Sequence, residues 1–240
     1  MNIVQVKAGS GMAWFACGWR LFKGNWGNWL LMTLVMMVML LLLSLVPLLG
    51  SLAAMFLWPL MLGGWFKAAR VAEQGGNAEV GMLFSTFGDR RERNSLLVIG
   101  LLQILAQMLA GWVLVMIMGS QLAEMPSMTN PGHPAMTLDP AQLFSSMGVI
   151  GLLMMLVMVA VFSMAFAFAI PLVVDGRPPV EALKLSFSGC WRNLGALAVF
   201  GLIYILLGII ASLLFGLGWL LLVPVMVLAL YCGYQEIYGD

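Results

Sequence analysis

The chain has 240 residues, of which 62% are apolar and only 9% are charged, and its formal net charge is +1. A soluble globular domain carries about 25% charged residues, because charges are needed to cover its surface. These proportions exclude a water-soluble fold of this size and make a lipid bilayer the expected solvent. The small net charge also gives no reason to expect a nucleic acid as partner.

Long apolar runs predict six transmembrane helices, since a helix needs about 20 apolar residues to cross the hydrocarbon core. The first two runs are separated by a tight turn near Pro47 and Gly50 and predict a helical hairpin. The six predicted spans cover residues 29–49, 52–72, 95–119, 147–173, 194–215 and 219–234. We therefore predict an all-α polytopic membrane helical bundle, a single domain over 1–240, in which the spans pair as three hairpins.

The eleven Lys and Arg residues all fall on one side of the predicted spans. The long connection 120–146, on the other side, contains Glu124 and Asp139 but no basic residue. The positive-inside rule then places both termini in the cytoplasm of a bacterium, with 120–146 in the periplasm and the spans in the inner (plasma) membrane. We expect the aromatic residues near the basic side to form a cytoplasmic aromatic belt of Trp26, Trp29, Trp65, Tyr231, Tyr234 and Tyr238.

Three partly amphipathic segments, 14–25, 82–94 and 182–193, lead into the first, third and fifth spans on the basic side. In the third, Val180 and Phe187 share an apolar helical face, whereas Glu181 and Arg192 share a polar one. Helices of this kind lie in the headgroup plane, where each Lys or Arg contributes about 1 kcal/mol of attraction to anionic lipid. The pattern indicates three repeats of interfacial helix plus hairpin; the alternative is that any re-entering chain has an amphipathic lead-in. The expected lipid or partner contacts are Arg20, Lys23, Arg90, Arg91, Arg93, Lys184 and Arg192.

The chain has three cysteines, Cys17, Cys190 and Cys232, and all of them fall on the predicted cytoplasmic side. That compartment is reducing, so we expect small packing residues and not a disulfide framework. Their spacing resembles no zinc motif.

Two segments resemble an uncharacterised proteobacterial family of six-span membrane proteins. They are 14–25 and 171–186, which reads Pro171-Leu-Val-Val-Asp-Gly-Arg-Pro-Pro-Val-Glu-Ala-Leu-Lys-Leu-Ser186, and the resemblance covers nearly the whole chain. More distantly, the layout is similar to the membrane domain of some glycerophosphoryl diester phosphodiesterases, although their catalytic barrel has no counterpart here. The resemblance implies the six-span fold and no activity.

The predicted spans contain no Asp, Glu, Lys, Arg or His, the residues that usually mark ion-coupled transport. Gln103 and Gln107 lie four residues apart on one helical face, which suits an interhelical hydrogen bond or the lining of a polar cavity. Pro59, Pro171 and Pro224 interrupt the returning helix of each hairpin, where they shape packing or form a hinge. These five residues are the candidate lining for a passive channel or transporter of a small or amphiphilic solute.

The periplasmic connection contains the chain's single histidine among methionines, in the set Met125, Met128, His133 and Met136. Thioether and imidazole groups suit soft copper(I), although the prolines of this stretch fit a plain extracytoplasmic loop equally well. We predict no other metal site and no cofactor.

No catalytic constellation is apparent, because catalysis needs a nucleophile, a base or metal ligands within reach of one another. The densest charged cluster, 89–93, reads as a solvated cytoplasmic loop. The sequence therefore favours a non-enzymatic membrane module that binds lipid or a partner through basic interfacial helices, with the channel or transporter as the alternative. A homo-oligomer or a membrane-protein partner stays open.

Overall fold

We describe the fold from a computed structural model of the whole chain. The backbone is described for residues 2–46, 49–124, 148–213 and 216–239, and the side chains for the same ranges without 117–124 and 148–150. Over these residues the chain forms helices and no strand, so the prediction of an all-α fold is confirmed. The helices are α1 (Ser10–Gly24), α2 (Trp26–Ser44), α3 (Leu49–Glu73), a 3-10 helix η1 (Val80–Phe84), α4 (Ser85–Gly88), α5 (Arg90–Glu124), α6 (Gly148–Ala167), α7 (Ala169–Val174), α8 (Pro179–Arg192), α9 (Leu194–Leu213) and α10 (Leu217–Tyr238).

The described residues contain six helical stretches that are long and apolar enough to cross a membrane. They are Trp26–Ser44, Leu49–Glu73, Arg90–Met116, Gly151–Val174, Leu194–Leu213 and Leu217–Tyr238. The chain is therefore a multi-pass membrane protein with the predicted number of spans. The bounds of the first hairpin differ from the prediction, because α2 ends at Ser44 and α3 begins at Leu49.

Contacts divide the chain into two compact units. One unit comprises Met1–Leu101 and Met164–Asp240, and the other comprises Leu102–Ser163. The first unit holds α1 to α4, the beginning of α5, the end of α6 and α7 to α10. The contacts described below all lie within this first unit.

Each of the three lead-in segments packs on the returning helix of a hairpin. The segment η1–α4 packs on α3, α8 packs on α7, and α1 packs mainly on α10, the returning helix of the last hairpin. The lead-ins therefore bury one face against protein as well as leading into a span. The three lead-ins thus share one kind of partner, and the three repeats stay a prediction.

Glycines allow two of these contacts to come unusually close. A Cβ at Gly18 of α1 would lie 2.6 Å from the Ala229 backbone nitrogen of α10. A Cβ at Gly64 of α3 would lie 2.4 Å from the Leu83 carbonyl oxygen of η1. Both distances are below any real Cβ contact, so only glycine lets these backbones meet.

Two of the three prolines do not interrupt their helices. Pro59 and Pro224 lie inside the continuous helices α3 and α10, so the prediction that they interrupt their spans is wrong. Only Pro171 follows a break, which falls at Phe168 between α6 and α7. Losing one backbone donor costs a helix a single hydrogen bond, and close packing of α3 and α10 keeps them helical.

A serine from α8 holds the break between α6 and α7. The Phe168 N–H donates to Ser186 Oγ at 2.9 Å, and Ser186 Oγ donates to the Met164 carbonyl at 2.7 Å. In an uninterrupted helix Phe168 N–H would bond to the Met164 carbonyl directly. The buried hydroxyl of Ser186 therefore takes the place of that missing helical bond and ties α8 to the end of the fourth span.

Candidate functional site

A polar network lies where the basic ends of α3, α7 and α10 meet. Arg70 Nη2 lies 2.5 Å from Asp175 Oδ1, and the Tyr234 hydroxyl donates to the other oxygen of the same carboxylate. The Tyr231 hydroxyl donates to Glu73 Oε2 at 2.5 Å. The tyrosine side chains are buried, whereas Glu73 and Asp175 are exposed, so the network joins the ends of three helices at the surface of the unit.

The predicted aromatic belt is therefore largely wrong. Tyr231, Tyr234 and Tyr238 are buried, and the rings of Trp29 and Trp65 stack face to face with centroids 6.2 Å apart. These rings fill the core at the polar end of the unit, where their hydroxyls and the Trp29 indole find protein acceptors. Within the described side chains Trp65 Nε1 is buried without an acceptor. Of the six predicted belt residues, Trp26 is exposed.

Two further exposed tryptophans were missed because they precede the spans. Trp19 lies in the second half of α1 and is 42% exposed, and Trp191 is the last residue but one of α8 and is 61% exposed. Each stands next to a basic residue, Arg20 and Arg192 respectively. Tryptophan beside arginine is typical of a helix that lies at the bilayer surface.

The face of α8 that packs on protein is not the apolar face that the sequence marks. Its buried residues are small, namely Ala182, Ser186, Gly189 and Cys190. Val180 is exposed, and Phe187, which is half-buried, stacks on Trp191 with ring centroids 6.1 Å apart. Small residues allow α8 to approach its neighbours closely, so the bulky apolar side chains are left on the opposite, outer face.

The outer face of α1 follows the same pattern. Met12, Ala16, Trp19 and Lys23 recur at helical spacing and are all exposed. The inner face carries Gly11, Trp14, Phe15, Gly18 and Phe22, which are buried against protein. Both lead-ins therefore present an outer face with tryptophan, smaller apolar side chains and basic residues.

The seven predicted contact residues lie at the basic ends of the unit. Arg20, Lys23, Arg90, Lys184 and Arg192 are exposed, and none of them forms an ion pair with a carboxylate in the described part of the chain. Arg91 Nη2 lies 3.4 Å from the Gly176 carbonyl, and Arg93 Nη1 donates to the Phe87 carbonyl at 3.0 Å. The half-buried Arg93 thus holds η1–α4 to α5, whereas the six other predicted contact residues are exposed and form no ion pair in the described part of the chain.

One cavity of about 380 Å³ lies between the ends of α1 and α3. Its lining includes Arg20, Asn25, Glu73 and Asn77, together with the backbone of Gly75. Gly75 has φ +82° and ends α3 in a left-handed turn, with its N–H bonded to Ala72 O. The turn leads the chain away from α3 and leaves space above its last residues.

The structure joins Cys17 of α1 to Cys232 of α10 by a disulfide, with the Cα atoms 6.3 Å apart. The prediction that the cysteines are unpaired is therefore wrong for two of the three. No sequence spacing could reveal this pair, because 215 residues separate its members. Cys190 is free and buried, and burial raises the pKa of its thiol to about 12.

The candidates for a transport path are placed in both units. Gln103, half-buried, and Gln107, exposed, belong to the second unit. Pro59, Pro171 and Pro224 are buried in the first. The described residues contain no cluster of three or more His, Cys, Asp or Glu side chains placed to hold a metal ion. The copper set Met125, Met128, His133 and Met136 lies outside the described residues.

Comparisons with protein-family models, with curated proteins and with solved structures find no match. The features of the molecule that bear on its function are the exposed basic residues, the lead-in helices and the cavity between α1 and α3.

Proposed function

We propose that this multi-pass protein is a non-enzymatic module of the bacterial inner membrane, with both termini in the cytoplasm, that binds anionic lipid headgroups through α1, α8 and the start of α5. The observation that carries the proposal is the set of exposed cations without acidic partners beside exposed tryptophans. The cations on which the proposal relies are Arg20, Lys23, Arg90, Lys184 and Arg192, and the exposed side chains of Lys7 and Arg91 likewise form no ion pair in the described part of the chain.

Unpaired surface cations are open to a phosphate group, whereas paired ones are already neutralised. Lys67, Arg70 and Arg177 form ion pairs inside the unit and serve its structure. Arg20 and Arg192 directly follow Trp19 and Trp191, and Lys23 lies three residues before Trp26. The exposed rings of these tryptophans suit the boundary between hydrocarbon and headgroups. A basic group there gains about 1 kcal/mol from an anionic bilayer surface.

Charge reversal tests the proposal. The triple variant R20E/R90E/R192E should lose the preference for phosphatidylglycerol over phosphatidylcholine among lipids retained in mild detergent. Since each of the three side chains is exposed, the thermal stability should change little. The matched control is R20K/R90K/R192K, which keeps the charge and should retain the preference.

Native mass spectrometry of the extracted protein gives the ratio of the two retained lipids, and circular dichroism on heating gives the stability. An unchanged ratio in the charge-reversed protein would overturn the proposal. A changed ratio together with an unfolded protein would be assigned to unfolding, and the single variants R20E and R192E then separate the two effects.

A further inference from the structure

We propose that the cavity between the ends of α1 and α3 binds the zwitterionic headgroup of a phospholipid with a primary amine, of the phosphoethanolamine class. The inference deepens the proposed function and rests on it, because it names one lipid for one place on the same basic surface. The cavity has a volume of about 380 Å³, within the usual range for small-ligand sites.

The cavity carries two opposite charges that do not neutralise each other. Arg20 and Glu73 both line it, yet no ion pair joins them in the described part of the chain. Arg20 donates to the Cys17 sulfur at 3.8 Å, and Glu73 accepts from the Tyr231 hydroxyl at 2.5 Å. Opposite charges that share a cavity without meeting are complementary to a ligand that carries both signs.

The walls of the cavity are fixed by one short stretch of α10. Tyr231 holds the carboxylate of Glu73, and the next residue, Cys232, meets Cys17, one turn before Arg20. The close packing of Gly18 on Ala229 holds this contact also when the two cysteines are reduced. The two charged walls are therefore tied to adjacent residues of the same helix. This separation keeps them from collapsing into an ion pair with each other.

The backbone adds a preference for the orientation of the ligand. The helices α1 and α3 end at Gly24 and Glu73, and the carbonyl end of a helix carries a partial negative charge. At the end of α3 this charge adds to that of the Glu73 carboxylate and favours an ammonium group. At the end of α1 the Arg20 guanidinium and the Lys23 ammonium oppose it, which leaves Arg20 as the group that attracts the phosphate.

The cavity also lies at the depth of a headgroup. Asn25, which lines it, directly precedes Trp26, which begins the first span and is 62% exposed. The α3 wall lies at the polar end of the second span. A lipid whose chains run beside α2 would therefore bring its headgroup to this opening.

The chemistry predicts discrimination among headgroups. A primary ammonium donates hydrogen bonds to a carboxylate, whereas the quaternary ammonium of phosphatidylcholine has no N–H to donate. Phosphatidylglycerol has a phosphate for Arg20 but no cation for Glu73. We therefore expect the wild-type protein to retain phosphatidylethanolamine in preference to phosphatidylcholine.

The test measures lipids retained by the full chain after reconstitution in nanodiscs of phosphatidylcholine with either phosphatidylethanolamine or phosphatidylglycerol. E73Q, which keeps an acceptor for Tyr231, should lower retention of phosphatidylethanolamine about threefold and leave retention of phosphatidylglycerol unchanged. R20Q should lower both. E79Q is the matched control, because Glu79 is exposed and does not line the cavity.

Free phosphoethanolamine, added as a competitor, separates headgroup recognition from binding of the acyl chains: displacement of the lipid supports the headgroup site. Equal retention of phosphatidylethanolamine by E73Q and E79Q would overturn the inference. In that case a loss of phosphatidylglycerol in R20E/R90E/R192E would still leave the proposed function standing. If E73Q is unstable on heating, R20Q decides the test, because the exposed Arg20 can be replaced without unfolding the protein. Unchanged retention of phosphatidylethanolamine in R20Q then overturns the inference.

Discussion

Replacing Ser186 by alanine removes one hydroxyl that serves two backbone groups. The side chain is buried, receives the Phe168 N–H at 2.9 Å and donates to the Met164 carbonyl at 2.7 Å. Each buried backbone group left without a partner costs about 1–3 kcal/mol. The break between α6 and α7 keeps these two groups from bonding to each other, so we expect S186A to lower the free energy of unfolding by about 3 kcal/mol.

The assay is equilibrium unfolding in mixed micelles of a mild detergent and sodium dodecyl sulfate, followed by tryptophan fluorescence. The control is S188A, two residues further along α8, because Ser188 is half-buried and has no hydrogen bond in the described part of the chain. S188A should stay within about 0.5 kcal/mol of wild type. If S186A loses no more than S188A, the reasoning that a side-chain hydroxyl replaces the helical bond is refuted.

Two further predictions test the packing of α1 and the state of the cysteines. G18A should destabilise the protein by about 1–3 kcal/mol in the same assay, because the new Cβ would lie 2.6 Å from the backbone of α10. G24A is the control, because a Cβ at Gly24 meets open space and should leave the stability unchanged. Equal stabilities of the two variants would contradict the close approach of α1 to α10. Before reduction no thiol should react rapidly with maleimide at pH 8, and after reduction half-buried Cys17 should react while Cys190 stays slow. Burial raises the pKa of Cys190 to about 12, so its thiol stays protonated at pH 8 and should react faster only as the pH approaches 12. Rapid labelling of Cys190 at pH 8 would count against its burial.

The spans were predictable because a hydrophobic run is a local property of the chain. Every predicted span overlaps one of the six apolar helices, and the largest shifts occur at turns. Residues such as Gly50 suggested a break, yet the structure ends α2 earlier, at Ser44. Hydropathy measures how apolar a residue is and not where a helix stops, so the ends were the least certain part.

The buried face of α8 was not predictable from hydrophobicity alone. The apolar pattern marks a face with Val180 and Phe187 that is expected to meet the bilayer, and it does not show that the face packed on protein carries Ala182, Ser186 and Gly189. In a bilayer, bulky apolar side chains are stable facing lipid, so helices pack through small residues instead. A search for small residues at helical spacing would have found this face.

The tertiary partners of the site residues could not be predicted from the sequence either. The tyrosines of α10 looked like interfacial anchors, but Glu73 and Asp175, far away along the chain, draw their hydroxyls inward. The pairing of Cys17 with Cys232 likewise depends on the whole fold. That Arg20, Lys184 and Arg192 are exposed was predictable, because a charged side chain is rarely buried without a partner.

Because α1 packs on α10, the first helix of the chain can find its partner only after the last helix has been synthesised. The indole of Trp14 donates to Glu236, 222 residues further along the chain. At about 5–20 residues per second, a ribosome needs roughly 10–40 s to travel that distance. Throughout that interval the glycine-lined face of α1 has no partner, so a chaperone or the insertion machinery that shields this helix would protect the nascent protein from premature association.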